Sequence, residues 1–102
     1  MNGYLPPLGD TLRALGDRAR KLRLLREITQ DELGARAGVS GMTVRRFERT
    51  GVASIENVLR IAMALQAEPA FDQLFALPAY ASLEDLDERP AMTTRKRAPR
   101  SK

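Results

Sequence analysis

The side chains best suited to binding chemistry fall in one short stretch of the chain: Thr43, Arg45, Arg46 and Arg49. A guanidinium group is a planar, permanently charged fork of N–H donors. It matches phosphate oxygens and the O6/N7 edge of guanine. Thr43 and Arg46 stand three residues apart and share a face if the stretch is helical. Arg46 is the best candidate for a bidentate guanine contact, worth about 1–3 kcal/mol of base discrimination. Thr43 offers a thymine-methyl contact or a hydrogen bond; the bland alternative is a neutral exposed threonine. Arg45 and Arg49 are placed to meet phosphates, and Arg49 near a helix C-terminus also complements the dipole. Gly41 and Met42 complete this face, Met42 as a groove-facing or gap-filling apolar group.

Other chemistries are poorly provided for. The 102 residues contain no Cys and no His, which excludes thiol and imidazole catalysis, disulfides and Cys/His zinc sites. Paired carboxylates occur at Asp31/Glu32 and Asp85/Asp87, but the first pair reads as helix capping and the second lies in a polar tail. No P-loop or dinucleotide-binding glycine pattern is present, so neither an enzyme nor a cofactor is expected. Two tyrosines and three phenylalanines are too few for an RNA-stacking platform. No apolar run is long enough to span a membrane, and the N-terminus lacks a secretory pattern, so a cytoplasmic protein is the expectation. Fourteen of the seventeen basic residues are Arg and the net charge is +4, a balance that places nucleic acid first among acidic partners.

The arginines need a rigid support, and the sequence predicts an all-α one of five helices. A first helix over about 10–26 carries Leu12, Leu15, Ala19 and Leu22 at helical spacing, with Leu25 or Arg26 next in the stripe and Gly16 as an interruption. A second, about 30–37, opens on the capping box Thr29-Gln30-Asp31-Glu32 and ends at Gly38. Its inward residues are Leu33 and Ala37. Ser40 caps a third helix that ends near residue 49, with Val44 and Phe47 on its back. A fourth opens at Ser54; Ile55, Val58, Leu59, Ile61, Ala62 and Leu65 make it largely buried. A fifth, about 69–77, has Pro69 in its first turn and Pro78 as its stop. Two short helices joined by a glycine turn and backed by others form a helix-turn-helix, whose second helix fits the major groove.

Leu15 to Leu65 resembles the phage-repressor and Cro type of helix-turn-helix, the XRE family. The resemblance rests on Thr29-Gln30-Asp31-Glu32-Leu33-Gly34, Ala37-Gly38-Val39-Ser40, Val44-Arg45-Arg46-Phe47-Glu48 and Ile55-Glu56-Asn57-Val58-Leu59-Arg60-Ile61. It implies a lambda-repressor-like, DNA-binding fold without cofactors. It implies a phosphate contact by Gln30 with the helix N-terminus, and a structural ion pair between Arg23 and Glu48; the bland reading leaves Gln30 solvated and the pair merely exposed. The chain departs from the family at Gly34, where Ala is usual. It departs again at Gly41-Met42, where a hydrogen-bonding residue is common, which weakens base readout at that end. Phe47-Glu48-Arg49 with the basic tail is most similar to HipB-like antitoxins encoded beside HipA-type kinases, so a kinase toxin is the protein partner implied.

Ser40 is expected to cap first and touch phosphate second, and Thr50 to run beside the DNA backbone. One recognition helix reads few base pairs, so a homodimer on two half-sites about 34–36 Å apart is expected. Phe71, Leu74, Phe75, Leu77 and Tyr80 supply its interface or else close the monomer core. The expected organisation is a loose arm over residues 1–9, the DNA-binding domain over 10–78 and an acidic-then-basic tail over 79–102. The tail is expected to be disordered when free, either as a solubilising end or as an arm for DNA or a partner.

Overall fold

The computed structural model describes residues 7–81, and within them the chain is helical with no strand. The order is α1 (Leu8–Leu25), α2 (Gln30–Ala37), α3 (Gly41–Thr50), α4 (Ile55–Ala64) and a 3-10 helix (Glu68–Gln73). The chain divides into two compact units, one reaching Asp72 and one starting at Gln73. The N-terminal arm up to residue 6 and the tail from residue 82 lie outside the described residues, as do the acidic and basic runs on which docking was expected.

In the first unit, α3 packs on α1 and α2, and α4 packs on α2. The core is Ile28, Leu33, Ala37, Val44, Phe47, Ile61 and Leu65, flanked by half-buried Leu15, Ala19, Leu22, Val39 and Val58. The middle helices start where the polar side chains require. Thr29 Oγ1 accepts from the Glu32 N–H at 3.0 Å, and Glu32 Oε1 accepts from the Thr29 N–H at 2.7 Å. Ser40 and Ser54 accept from the N–H groups of Thr43 and Asn57 at 3.0 and 3.1 Å. Each satisfies a donor that a helix start leaves unpaired. Gly38 and Gly51 close α2 and α3 with φ of 77° and 76°.

Three sequence expectations change. Gly16 does not interrupt α1, which runs unbroken through it. A Cβ there would lie 2.2 Å from the Phe47 carbonyl oxygen, so the glycine lets α1 press against the end of α3. Next, α4 is half-buried rather than largely buried: Ile61 and Leu65 face the core, whereas Ile55 is 69% exposed and Leu59 and Met63 also lie outward. Packing on α2 covers only one side of the cylinder.

The third change is at the end. The expected helix over 69–77 is a 3-10 helix of six residues, Glu68–Gln73. Phe75 then adopts a left-handed φ of 61°, and Leu77 precedes a proline, a position that disfavours helix. So short a segment needs a packed face to hold an α-helix. Leu74, Phe75, Leu77 and Tyr80 are exposed, Phe75 at 95%, and Phe71 is half-buried.

Candidate nucleic-acid interface

The candidate surface is the front of α3, and its rigidity comes from the back. Val44 and Phe47 are buried, which fixes the rotation of the helix about its axis. Met42, Arg45, Arg46 and Arg49 are thereby turned to solvent. Among the described residues, neither Arg46 nor Arg49 has a carboxylate within ion-pair reach. Two long, charged side chains are free to reach phosphates or base edges.

Both ends of α3 are set by backbone contacts through glycine. Gly51 lies against α1, where a Cβ would come 1.8 Å from the Leu12 carbonyl oxygen. Gly34 of α2 lies under the turn, where a Cβ would come 2.7 Å from the Val39 carbonyl oxygen. This gives the departure at Gly34 a physical meaning: the turn folds back onto α2 more closely than alanine allows without a shift.

Behind α3 sits a buried charge network. Arg23 Nε donates to Glu48 Oε2 at 2.6 Å and Nη2 donates to Oε1 at 3.1 Å. Arg23 Nη1 donates to the Ile28 carbonyl at 2.8 Å. The pair joins α1 to α3 and is 7% and 6% exposed. Its bidentate geometry and the extra carbonyl offset the desolvation of two charges. Gln30 Nε2 donates to Glu48 Oε1 at 2.9 Å, so the amide that the resemblance assigns to phosphate is anchored from inside. Its second N–H is still available for an anion.

The hydroxyl groups are partly committed. Ser40 Oγ donates to Thr43 Oγ1 at 2.9 Å, which leaves Thr43 its own proton and its methyl group. Thr50 Oγ1 donates to the Arg46 carbonyl at 2.7 Å and accepts from the Val52 N–H at 3.1 Å. Thr50 therefore closes the helix with the proton it would have offered to a phosphate. Arg45 Nη1 donates to Asp31 Oδ1 at 3.3 Å. This contact between α2 and α3 has no signal in the sequence, because nothing in the spacing of residues 31 and 45 shows that they meet. Glu32 has its carboxyl held below the ordinary glutamate range, first by the hydrogen bond from the Thr29 backbone and then by the Thr29 hydroxyl.

The helix-turn-helix family model matches residues 20–71, just over half of the chain. The chain belongs to the XRE family of helix-turn-helix proteins. That family is one of DNA-binding regulatory domains. The matched span of this helix-turn-helix protein contains all of α2, α3 and α4, and with them the arginine face, the buried pair and the glycine contacts. No curated protein and no solved structure matches the chain. Among the described residues no group of acidic side chains is arranged to hold a metal ion, and no helix is long and apolar enough to cross a membrane.

Proposed function

We propose that the protein is a sequence-specific, double-stranded-DNA-binding transcriptional repressor that acts as a homodimer. The observation that supports this most is the orientation of α3: an apolar back locked into the core and a front bearing three exposed arginines. In this reading Arg46 contacts guanine, Thr43 contacts its neighbour, and Arg45, Arg49, Ser40 and the N-terminus of α2 with Gln30 bind phosphates. Gly41 and Met42 approach the groove without a polar side chain. Dimerisation doubles the sequence read, and Phe71, Leu74, Phe75, Leu77 and Tyr80 are the residues proposed to serve it, the last four of them exposed.

The finer proposal is that this repressor is the HipB-like antitoxin of a toxin–antitoxin operon, repressing its own promoter and binding a HipA-type kinase. It rests on the sequence resemblance; the alternative is a stand-alone regulator without a toxin partner. A kinase reading frame beside the gene, and its co-purification with this protein, separate the two. The repressor reading is tested by gel shift on the protein's own upstream region across a range of salt. Several phosphate contacts predict affinity that falls steeply with salt, with a log–log slope of about −0.9 per phosphate neutralised. A slope near zero, or no binding, contradicts it.

A further inference from the structure

The contact between Asp31 and Arg45 is out of place in a purely electrostatic DNA-binding face. Asp31 is not the residue that closes the capping box; Glu32 does that. The side chains of Asp31 and Arg45 are 80% and 47% exposed, and so open an ion pair adds little to stability. Asp31 complements the dipole at the start of α2, and from there its carboxylate also reaches Arg45 beside the helix that faces the duplex. The surroundings accommodate it closely. Gly41, the first residue of α3, lies against the carboxylate, and a Cβ at that position would overlap Asp31 Oδ1 at 1.9 Å. The atom met is the tip of an exposed, flexible side chain that can swing aside, so the glycine permits the Asp31–Arg45 contact without being required by it.

We propose that Asp31 and Arg45 form one base-reading unit, in which the carboxylate orients the guanidinium so that its free edge meets O6 and N7 of a guanine. This rests on the DNA-binding reading above and changes the role of Arg45 within it. A guanidinium paired with a carboxylate is close to neutral as a unit, which makes it a poor phosphate anchor. Recognition of a base edge depends instead on the direction of the planar fork, and holding the fork in advance reduces the ordering cost of binding. Only Nη1 is engaged by Asp31. The Nε and Nη2 side remains available for the two parallel hydrogen bonds that guanine accepts. Asp31 is then a positioning residue and Arg45 a specificity-determining one.

The test is selection of binding sites from a pool of random-sequence duplexes by the full chain, by Asp31→Asn, by Arg45→Ala and by the double variant. Matched circular-dichroism melts verify that each is folded. Wild type should favour G·C at a position in each half-site that both single variants relax by about tenfold. The double variant should relax it no further, because the two residues act as one unit. Asp31→Asn should also steepen the log–log salt slope by about one per subunit, as the released guanidinium finds a phosphate. The proposal is overturned if Asp31→Asn raises affinity for all duplexes alike and keeps every base preference, or if Arg45→Ala relaxes no position. A wild-type protein that binds duplexes but enriches no sequence contradicts the sequence-specific reading, and this proposal with it.

Discussion

The segment from Thr29 to Gly51 and the segment from Glu68 to Ala81 have similar credentials in the sequence. Both show apolar residues at helical spacing, and both have sensible start and stop residues. The first forms α2 and α3 as the local signals direct. The second forms one 3-10 helix and then turns, with Phe75 in a left-handed conformation. What differs is whether the apolar stripe has somewhere to go. Leu33, Val44 and Phe47 meet Ile61, Leu65 and Ile28 in a shared core. Leu74, Phe75 and Leu77 remain exposed. Periodicity states which residues would face a partner; it does not supply the partner.

The largest expected contrast is between two phenylalanines. Phe47→Ala should cost about 3–5 kcal/mol, enough to unfold a domain this small, because it empties the centre of the core. Phe75→Ala should change monomer stability by less than about 0.5 kcal/mol. Urea melts at low protein concentration measure both, and comparable losses would erase the distinction between the regions. Sedimentation of Phe75→Ala at high concentration sharpens it, since the dimer proposal expects this variant to associate more weakly than wild type.

The buried pair comes next. Arg23→Ala or Glu48→Ala should each cost about 3–5 kcal/mol by leaving the other charge buried and unpaired. Removing both together should cost much less than the sum, a coupling read from a double-mutant cycle. Additive losses would mean that the pair is not the link between α1 and α3. Gly16→Ala should follow at about 1–3 kcal/mol, despite alanine's better helix propensity, because its Cβ meets the Phe47 carbonyl. Alanine at an exposed helix site such as Arg20 should be close to neutral. Equal effects at the two positions would deny the close approach of α1 to α3.

The smallest effect is a pH dependence at the start of α2. The folded state holds the Glu32 carboxyl below its ordinary range through the Thr29 hydrogen bonds. The unfolded chain therefore takes up a proton more readily. The capping contribution is fully present above the ordinary glutamate range and is lost as pH falls through the lowered folded value. Thermal melts of wild type and Glu32→Ala should differ at neutral pH and converge in acid. A gap that stays constant down to strong acid would show that the ionised carboxylate is not what caps the helix.

Much of this architecture was legible because α2, α3 and α4 are specified by residues that act close by: Thr29 with Glu32, Ser40 with Thr43, Gly38 and Gly51 at left-handed positions. The inward placement of Val44 and Phe47 followed from spacing. The contacts that depend on three dimensions were not legible. Gly16 looked like a defect because its reason is a carbonyl oxygen on α3. Gly34 could be noted as a departure, but its reason lies in the turn above it. Asp31 was absorbed into the helix start because nothing in the chain order places it beside Arg45. The bond from the Thr50 hydroxyl to the Arg46 carbonyl, by contrast, is local, spanning four residues of one helix.

The central claim, that α3 presents its arginines to a duplex from a locked position, is met most directly by footprinting with wild type and Arg46→Ala side by side. Wild type should protect paired segments with the spacing of successive major grooves on one DNA face. Arg46→Ala, with an unchanged melt, should need about 5- to 150-fold more protein for the same protection. An Arg46→Ala footprint identical to wild type in position and concentration dependence would contradict it.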